Sequence, residues 1–240
     1  MALGTALTAS FEVSTTIGLQ HIALNSDGVS VAQTVAGTAG AGGKLTVFLM
    51  GHEYDYKEGN EPTSGGDETK IKMYYSEYTN RPRLSLVMDD ASAHIIYAEG
   101  SGNDDDGSIG NANLDDSVNW ATLRGDETTS AGDAGIAVRN VTSTYLWNGV
   151  YSYHAPGRGS DVIRDIIRSI FVFDISGLTG TIDSGQFSFY MDNVGDTGAA
   201  GKVIAVQGTA LAGSNADYGN CFVADAVTVT HNATFFGANF

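Results

Sequence analysis

Apolar positions along this chain recur in short, β-like bursts separated by Gly, Asn, Asp and Ser. Lys44-Leu45-Thr46-Val47-Phe48-Leu49-Met50 is apolar and β-prone, and it follows a Gly/Ala/Thr stretch from Ala36 to Gly43. Ile71-Lys72-Met73-Tyr74-Tyr75 and Arg83-Leu84-Ser85-Leu86-Val87-Met88 follow it. Later bursts are Ser169–Ile175, Gln186–Met191, Lys202–Val206 and Ala226–Thr230. Runs of this length, rich in β-branched and aromatic residues and bounded by turn formers, read as strands. Many short strands without intervening helical patterns predict an antiparallel sandwich or barrel, not βαβ units. One segment has helical spacing: Ser160-Asp161 stands before Val162, Ile163, Ile166, Ile167 and Ile170. This predicts a single short helix of at most two turns, ending where the strand at Ser169 begins.

Residues 89–119 break the pattern, with Asp89-Asp90, Asp104-Asp105-Asp106 and Asp115-Asp116. Clustered like charge resists burial, so the segment reads as an exposed acidic connection. The chain then divides into residues 1–88, the connection at 89–119, and residues 120–240. No fixed-period repeat is present.

Composition narrows the function classes. The 240 residues carry 12 Lys and Arg against 28 Asp and Glu, a formal charge of −16. Such a surface opposes nucleic acid, whose affinity comes from neutralising phosphates, and opposes anionic membranes. Charged residues are only 17% and hydrophobic residues 42%, enough apolar side chain for a sizeable core. The 31 glycines against 3 prolines fit a turn-rich fold. A lone cysteine, Cys221, excludes an internal disulfide framework and reads as a small buried filler. Met1 to Thr8 has neither a basic nor a sustained apolar region, so no secretory signal is expected there. No stretch reaches the length of a membrane span.

Motifs with a claim to chemistry mostly fail on inspection. Gly37 to Leu45 resembles a phosphate loop, yet Lys44 precedes Leu45 instead of Ser or Thr, and a strand follows where a helix should begin. His52-Glu53 lacks the second histidine of a zincin helix, and no G-x-S-x-G elbow occurs. Around Gly107 an EF-hand would need an acid at Gly102 and a glutamate at Asn113. An irregular structural Ca²⁺ loop drawing on Asp104, Asp106, Asp115 and Asp116 stays open beside the plainer reading of a solvated acidic loop. No motif implies an organic cofactor, and the chain is expected not to be an enzyme. Tyr145/Trp147 and Tyr151/Tyr153 flank the turn signal Asn148-Gly149. On a hairpin each pair shares a face, which makes an aromatic platform for a glycan, a subunit contact or core, the last two being the more economical.

Two groups of residues resemble a known family. Arg168-Ser169-Ile170-Phe171-Val172-Phe173-Asp174-Ile175-Ser176-Gly177-Leu178, followed by Thr181-Ile182-Asp183-Ser184-Gly185-Gln186-Phe187-Ser188-Phe189-Tyr190, resembles the early strands of DNRLRE-type domains. Ile22–Gly28, Leu45–Tyr56 and Tyr74–Leu86 are similar to the later parts of the same domain, including its closing strand. Gly185 or Gln186 stands where the family often has alanine. The resemblance implies a jelly-roll β-sandwich related to disaggregatase and carbohydrate-binding-module-6-like domains, found in secreted proteins and phage virions.

The order of the halves is inverted, the closing half lying in 1–88 and the opening half in 120–240. Either the chain is permuted and closes on itself, or each half completes a sandwich with a neighbouring subunit. The function expected from this is structural: a bacteriophage capsid decoration, tail or fibre protein, assembled in the host cytoplasm and released by lysis. Its partners would be itself and other virion proteins. The alternative is a carbohydrate-binding module, adhesin or filament subunit at a cell surface, bound to surface glycans.

Overall fold

A computed structural model of the chain describes residues 2–3, 6–8, 11–12, 18–56, 66–74, 80–99, 107–113, 120, 123, 136–140, 149–156, 162–194, 202–208 and 222–223. In chain order the strands are β1 (Ala2–Leu3), β2 (Phe11–Glu12), β3 (Gly18–Ala23), β4 (Lys44–Gly51), β5 (Gly66–Met73), β6 (Arg83–Met88) and β7 (Ala93–Tyr97). They continue as β8 (Gly107–Asn113), β9 (Ile136–Asn140), β10 (Gly149–Pro156), β11 (Val162–Asp174), β12 (Ile182–Val194), β13 (Lys202–Gln207) and β14 (Phe222–Val223). Helix α1 (Ser26–Val35) lies between β3 and β4. All the strand pairings among the described residues are antiparallel.

The result is an all-β, jelly-roll-like sandwich. Two four-stranded sheets face one another: a front sheet in the order β7-β6-β12-β3 and a back sheet in the order β13-β4-β11-β8. The 13-residue strands β11 and β12 exchange neighbours along their length, so hydrogen bonding runs on through β10 and β5 from one sheet to the other. Residues 6–8 help close another side, bridging Val206 of the back sheet through Ala6 and Leu24 beside the front sheet through Thr8. Strands from residues 1–88 therefore pair with strands from 120–240 within one chain. Residues 89–119 contribute β7 and β8 to these sheets.

Alternation decides what faces inward. Leu45, Val47 and Leu49 of β4, Phe171 and Phe173 of β11, and Val203 and Ala205 of β13 meet Leu84, Leu86 and Met88 of β6 and Phe187, Phe189 and Met191 of β12. Phe187 is at the centre, with its ring centroid 5.3 Å from Phe171, 6.0 Å from Phe173 and 5.7 Å from Phe189. The back sheet is covered on its second face as well. Phe48, Met50, Ile170, Ile204 and Val206 pack there with Ala6, Tyr56 and Ile109. A strand buried on both faces loses the apolar/polar alternation, which is why β4 reads as an unbroken apolar run.

The helix expected near 160–170 is not a helix. Val162 to Ile170 is the first part of β11, flanked by β10 and β8. Arg164, Ile166, Arg168 and Ile170 point to one face, and because both faces carry isoleucine the sequence imitates helical spacing. Five β-branched side chains within nine residues favour the strand. The helix lies instead at Ser26–Val35, started by Asn25: its Oδ1 accepts the Gly28 N–H at 2.7 Å, while its own N–H donates to Leu7 O at 2.9 Å. A side chain at Gly28 would collide with the Leu7 carbonyl, so only glycine lets the helix sit this close. The strand expected at 226–230 lies outside the described residues.

Candidate interaction face

The outer face of the front sheet gathers the exposed large apolar side chains of the described residues. Its register lays out rows across the strands: Tyr97, Arg83, Ser188 and His21 in one, and Ile95, Ser85, Gln186 and Ala23 in the next. Val87 lies beyond the second row, beside Ala93, and Leu19 beyond the first, beside Tyr190. Large apolar side chains exposed among the described residues are Ile95 at 56%, Tyr97 at 46%, Leu19 at 38% and Val87 at 37%, and all four lie on this face. Such clustering, unlike singly scattered exposed residues, marks an interaction surface.

Polar contacts order the face. The Arg81 guanidinium lies 5.3 Å from the Tyr97 ring centroid, a cation–π arrangement. His21 Nδ1 and Ser188 Oγ are 2.9 Å apart. Tyr74 and Tyr190 stack at a tilt, 5.3 Å between centroids, and the Tyr74 hydroxyl donates to Asp192 Oδ1 at 3.0 Å. Arginines thus crowd one end of a sheet face on a protein whose overall charge is strongly negative.

Among the described residues β7 pairs only with β6, and as an edge strand it borders this face. Met88 N–H donates to Ser92 O and Ala98 N–H to Pro82 O, both at 2.9 Å. Main-chain direction alternates along an antiparallel strand, so the even-numbered residues of β7 turn their amides and carbonyls to β6. Ala93, Ile95 and Tyr97 turn theirs outward. The strand Ala-His-Ile-Ile-Tyr carries neither lysine, proline nor carboxylate, the usual devices that blunt an edge. The hairpin before it turns through Asp89-Asp90-Ala91, with Ala91 at φ +65°. Asp90 accepts the Ser92 N–H at 2.8 Å, and the Ser92 hydrogen bonds hold its carboxyl below the usual range.

The residues singled out from sequence are elsewhere. On β10, Tyr151 is in register with Ile167 and Tyr153 with Asp165 of β11, while the pairing of β10 with β5 shifts register between Ser152 and Tyr153. Tyr145 and Trp147 lie outside the described residues, as do Asp104, Asp106, Asp115, Asp116 and Cys221. Among the described residues no group of three or more His, Cys, Asp or Glu side chains is placed to hold a metal. No described helix is long and apolar enough to cross a membrane. The outer face was hard to find from sequence because its members come from four strands distant in the chain, and only the hairpin β6–β7 is local.

A second electrostatic feature sits on the back sheet. Arg168 and Asp55 are 0% and 1% exposed and form a two-pronged pair, with Nε donating to Oδ2 at 2.8 Å and a terminal guanidinium nitrogen to Oδ1 at 2.7 Å. Asp55 lies in a π-helical turn, His52–Tyr56, that directly follows β4. Burial pushes the Tyr56 hydroxyl up to about 12, so it is neutral at any physiological pH.

Burial also pushes the Asp165 carboxyl up to about 7, against the opposing effect of the Ile166 main-chain hydrogen bond. Its register neighbours are Tyr153 on β10 and Ala112 on β8. An unfolded aspartate titrates near pH ~3.9. Between about 4 and 7 the folded chain therefore holds a proton that the unfolded chain has lost, and stability contributed by this group falls as pH rises through that window. Asp165→Asn is expected to raise the melting temperature at pH 8 and leave it unchanged near pH 4. Equal melting of the two proteins at pH 8 would refute the burial effect.

Comparison of the chain with protein-family models, curated proteins and solved structures gave no match.

Proposed function

We propose that this protein is a non-enzymatic assembly subunit, a bacteriophage virion component such as a capsid decoration, tail or fibre protein, that associates with itself through a sandwich edge. The observation that carries the reading is β7, an uncharged edge strand with outward main-chain groups and the exposed side chains of Ile95 and Tyr97. The resemblance to DNRLRE-type virion domains adds to it, as does an acidic surface that keeps free subunits apart before assembly. Light scattering on the purified chain across a concentration series tests it. A defined oligomer or polymer is expected, and a monomer at every concentration would overturn it.

The second reading is a carbohydrate-binding or adhesive module at a cell surface. Tyr97, backed by Arg81 and followed across the sheet by Arg83 and His21, supports it: a ring to stack on a sugar beside hydrogen-bonding groups. Glycan-array binding that disappears in Tyr97→Ala, with melting unchanged, would favour this reading over assembly.

A further inference from the structure

We infer that β7 pairs with β7 of a second copy, antiparallel and about a two-fold axis through Ile95, so that two front sheets join into one continuous sheet. The inference rests on the assembly reading above and names its partner and register. Ala93, Ile95 and Tyr97 are the β7 residues whose main-chain groups face away from β6. An antiparallel partner centred on Ile95 sets Ile95 against Ile95, and Ala93 against Tyr97 of the partner subunit. Every outward-facing residue then falls in a hydrogen-bonded pair, about six main-chain hydrogen bonds in total. A register moved by one residue would set outward groups against inward ones and lose them.

Side chains and charge agree with this pairing. Ile95 and Tyr97 share the outer face, so the two-fold brings isoleucine beside isoleucine and gives each tyrosine ring the small Ala93 as its neighbour. Exposed Arg81 stands at the Tyr97 end of β7, and the exposed Asp89-Asp90 turn stands at the Ala93 end. Antiparallel pairing brings the arginine of each copy toward the acidic turn of the other. A parallel pairing would bring arginine to arginine and aspartate to aspartate. On a subunit with a formal charge of −16, this complementarity selects the two-fold arrangement.

Single cysteines read the register. In a hydrogen-bonded pair the two Cα atoms at position 95 stand about 5.5 Å apart, within disulfide reach. The two at position 94 stand about 8 Å apart, beyond it. Both side chains are exposed, so both variants keep the fold. Under mild oxidation Ile95→Cys is expected to give a covalent dimer, and His94→Cys no more than the parent chain with its Cys221. Ile95→Lys is expected to weaken association at least about tenfold by charging the edge at its centre. Equal cross-linking at 94 and 95, or an oligomer unchanged by Ile95→Lys, would overturn the β7 pairing and leave the assembly reading standing. A monomer in every variant and in the parent would overturn both.

Discussion

Replacing Phe187 with alanine is expected to destabilise the fold by about 3–5 kcal/mol, the usual cost of removing a buried aromatic and leaving a cavity. Phe187 is 1% exposed and touches rings from both sheets, so its loss opens a cavity at the interface between the layers. A domain is stable by only about 5–15 kcal/mol, so the change removes a large share of the total. Urea unfolding followed by tryptophan fluorescence measures it. Tyr97→Ala provides the contrast, with a shift within about 0.5 kcal/mol expected for an exposed position. If the two variants unfold at the same midpoint, the sandwich core is wrongly placed.

Arg168→Met is expected to cost about 3–5 kcal/mol, because it strands the Asp55 carboxylate in an apolar layer among Phe48, Met50, Ile170 and Ile204. Most of that cost is the unpaired charge, not the lost attraction. The double variant Arg168→Met with Asp55→Leu should therefore recover much of the loss, since apolar replacements of a buried pair are often neutral or better. Arg168→Lys should not rescue, because an ammonium cannot supply two parallel donors to one carboxylate. Thermal melting of the parent, Arg168→Met, Asp55→Leu and the double variant gives the coupling. A double variant no more stable than Arg168→Met alone would mean that the pair is not what holds the His52–Tyr56 turn to β11.

Both residues of that pair were visible before the structure, and their meeting was not. Arg168 opens the run Arg168-Ser169-Ile170-Phe171-Val172-Phe173-Asp174, and Asp55 sits in Gly51-His52-Glu53-Tyr54-Asp55-Tyr56. Each lies in its own local run, and a separation of 113 residues hides any link between them. The outer face of the front sheet has the same history. Tyr97, Arg83, Ser188 and His21 form one row only after four strands are set in register. The aromatic positions that sequence alone brought forward, Tyr145 to Tyr153, were prominent because they are neighbours in the chain.

The sequence by itself determined the class of the fold. Strand-forming runs at 44–50, 71–75, 83–88, 169–175, 186–191 and 202–206 coincide with β4, β5, β6, β11, β12 and β13 or their parts. Period-two alternation and β-branched side chains are local properties, legible over five or six residues. Tertiary structure decided the rest where local signals were double-edged. Val162 to Ile170 became strand because β8 and β10 lie on either side of it, and a sheet buried on both faces erases the alternation that distinguishes strand from helix. Residues 26–35 became helix despite Gly28, Val29, Val31, Thr34 and Val35, all weak helix formers. Asn25 caps that helix, and Leu7 gives it a seat against the sheet. Which described strand lies at an edge depends on the order of strands in space, which no window along the sequence contains.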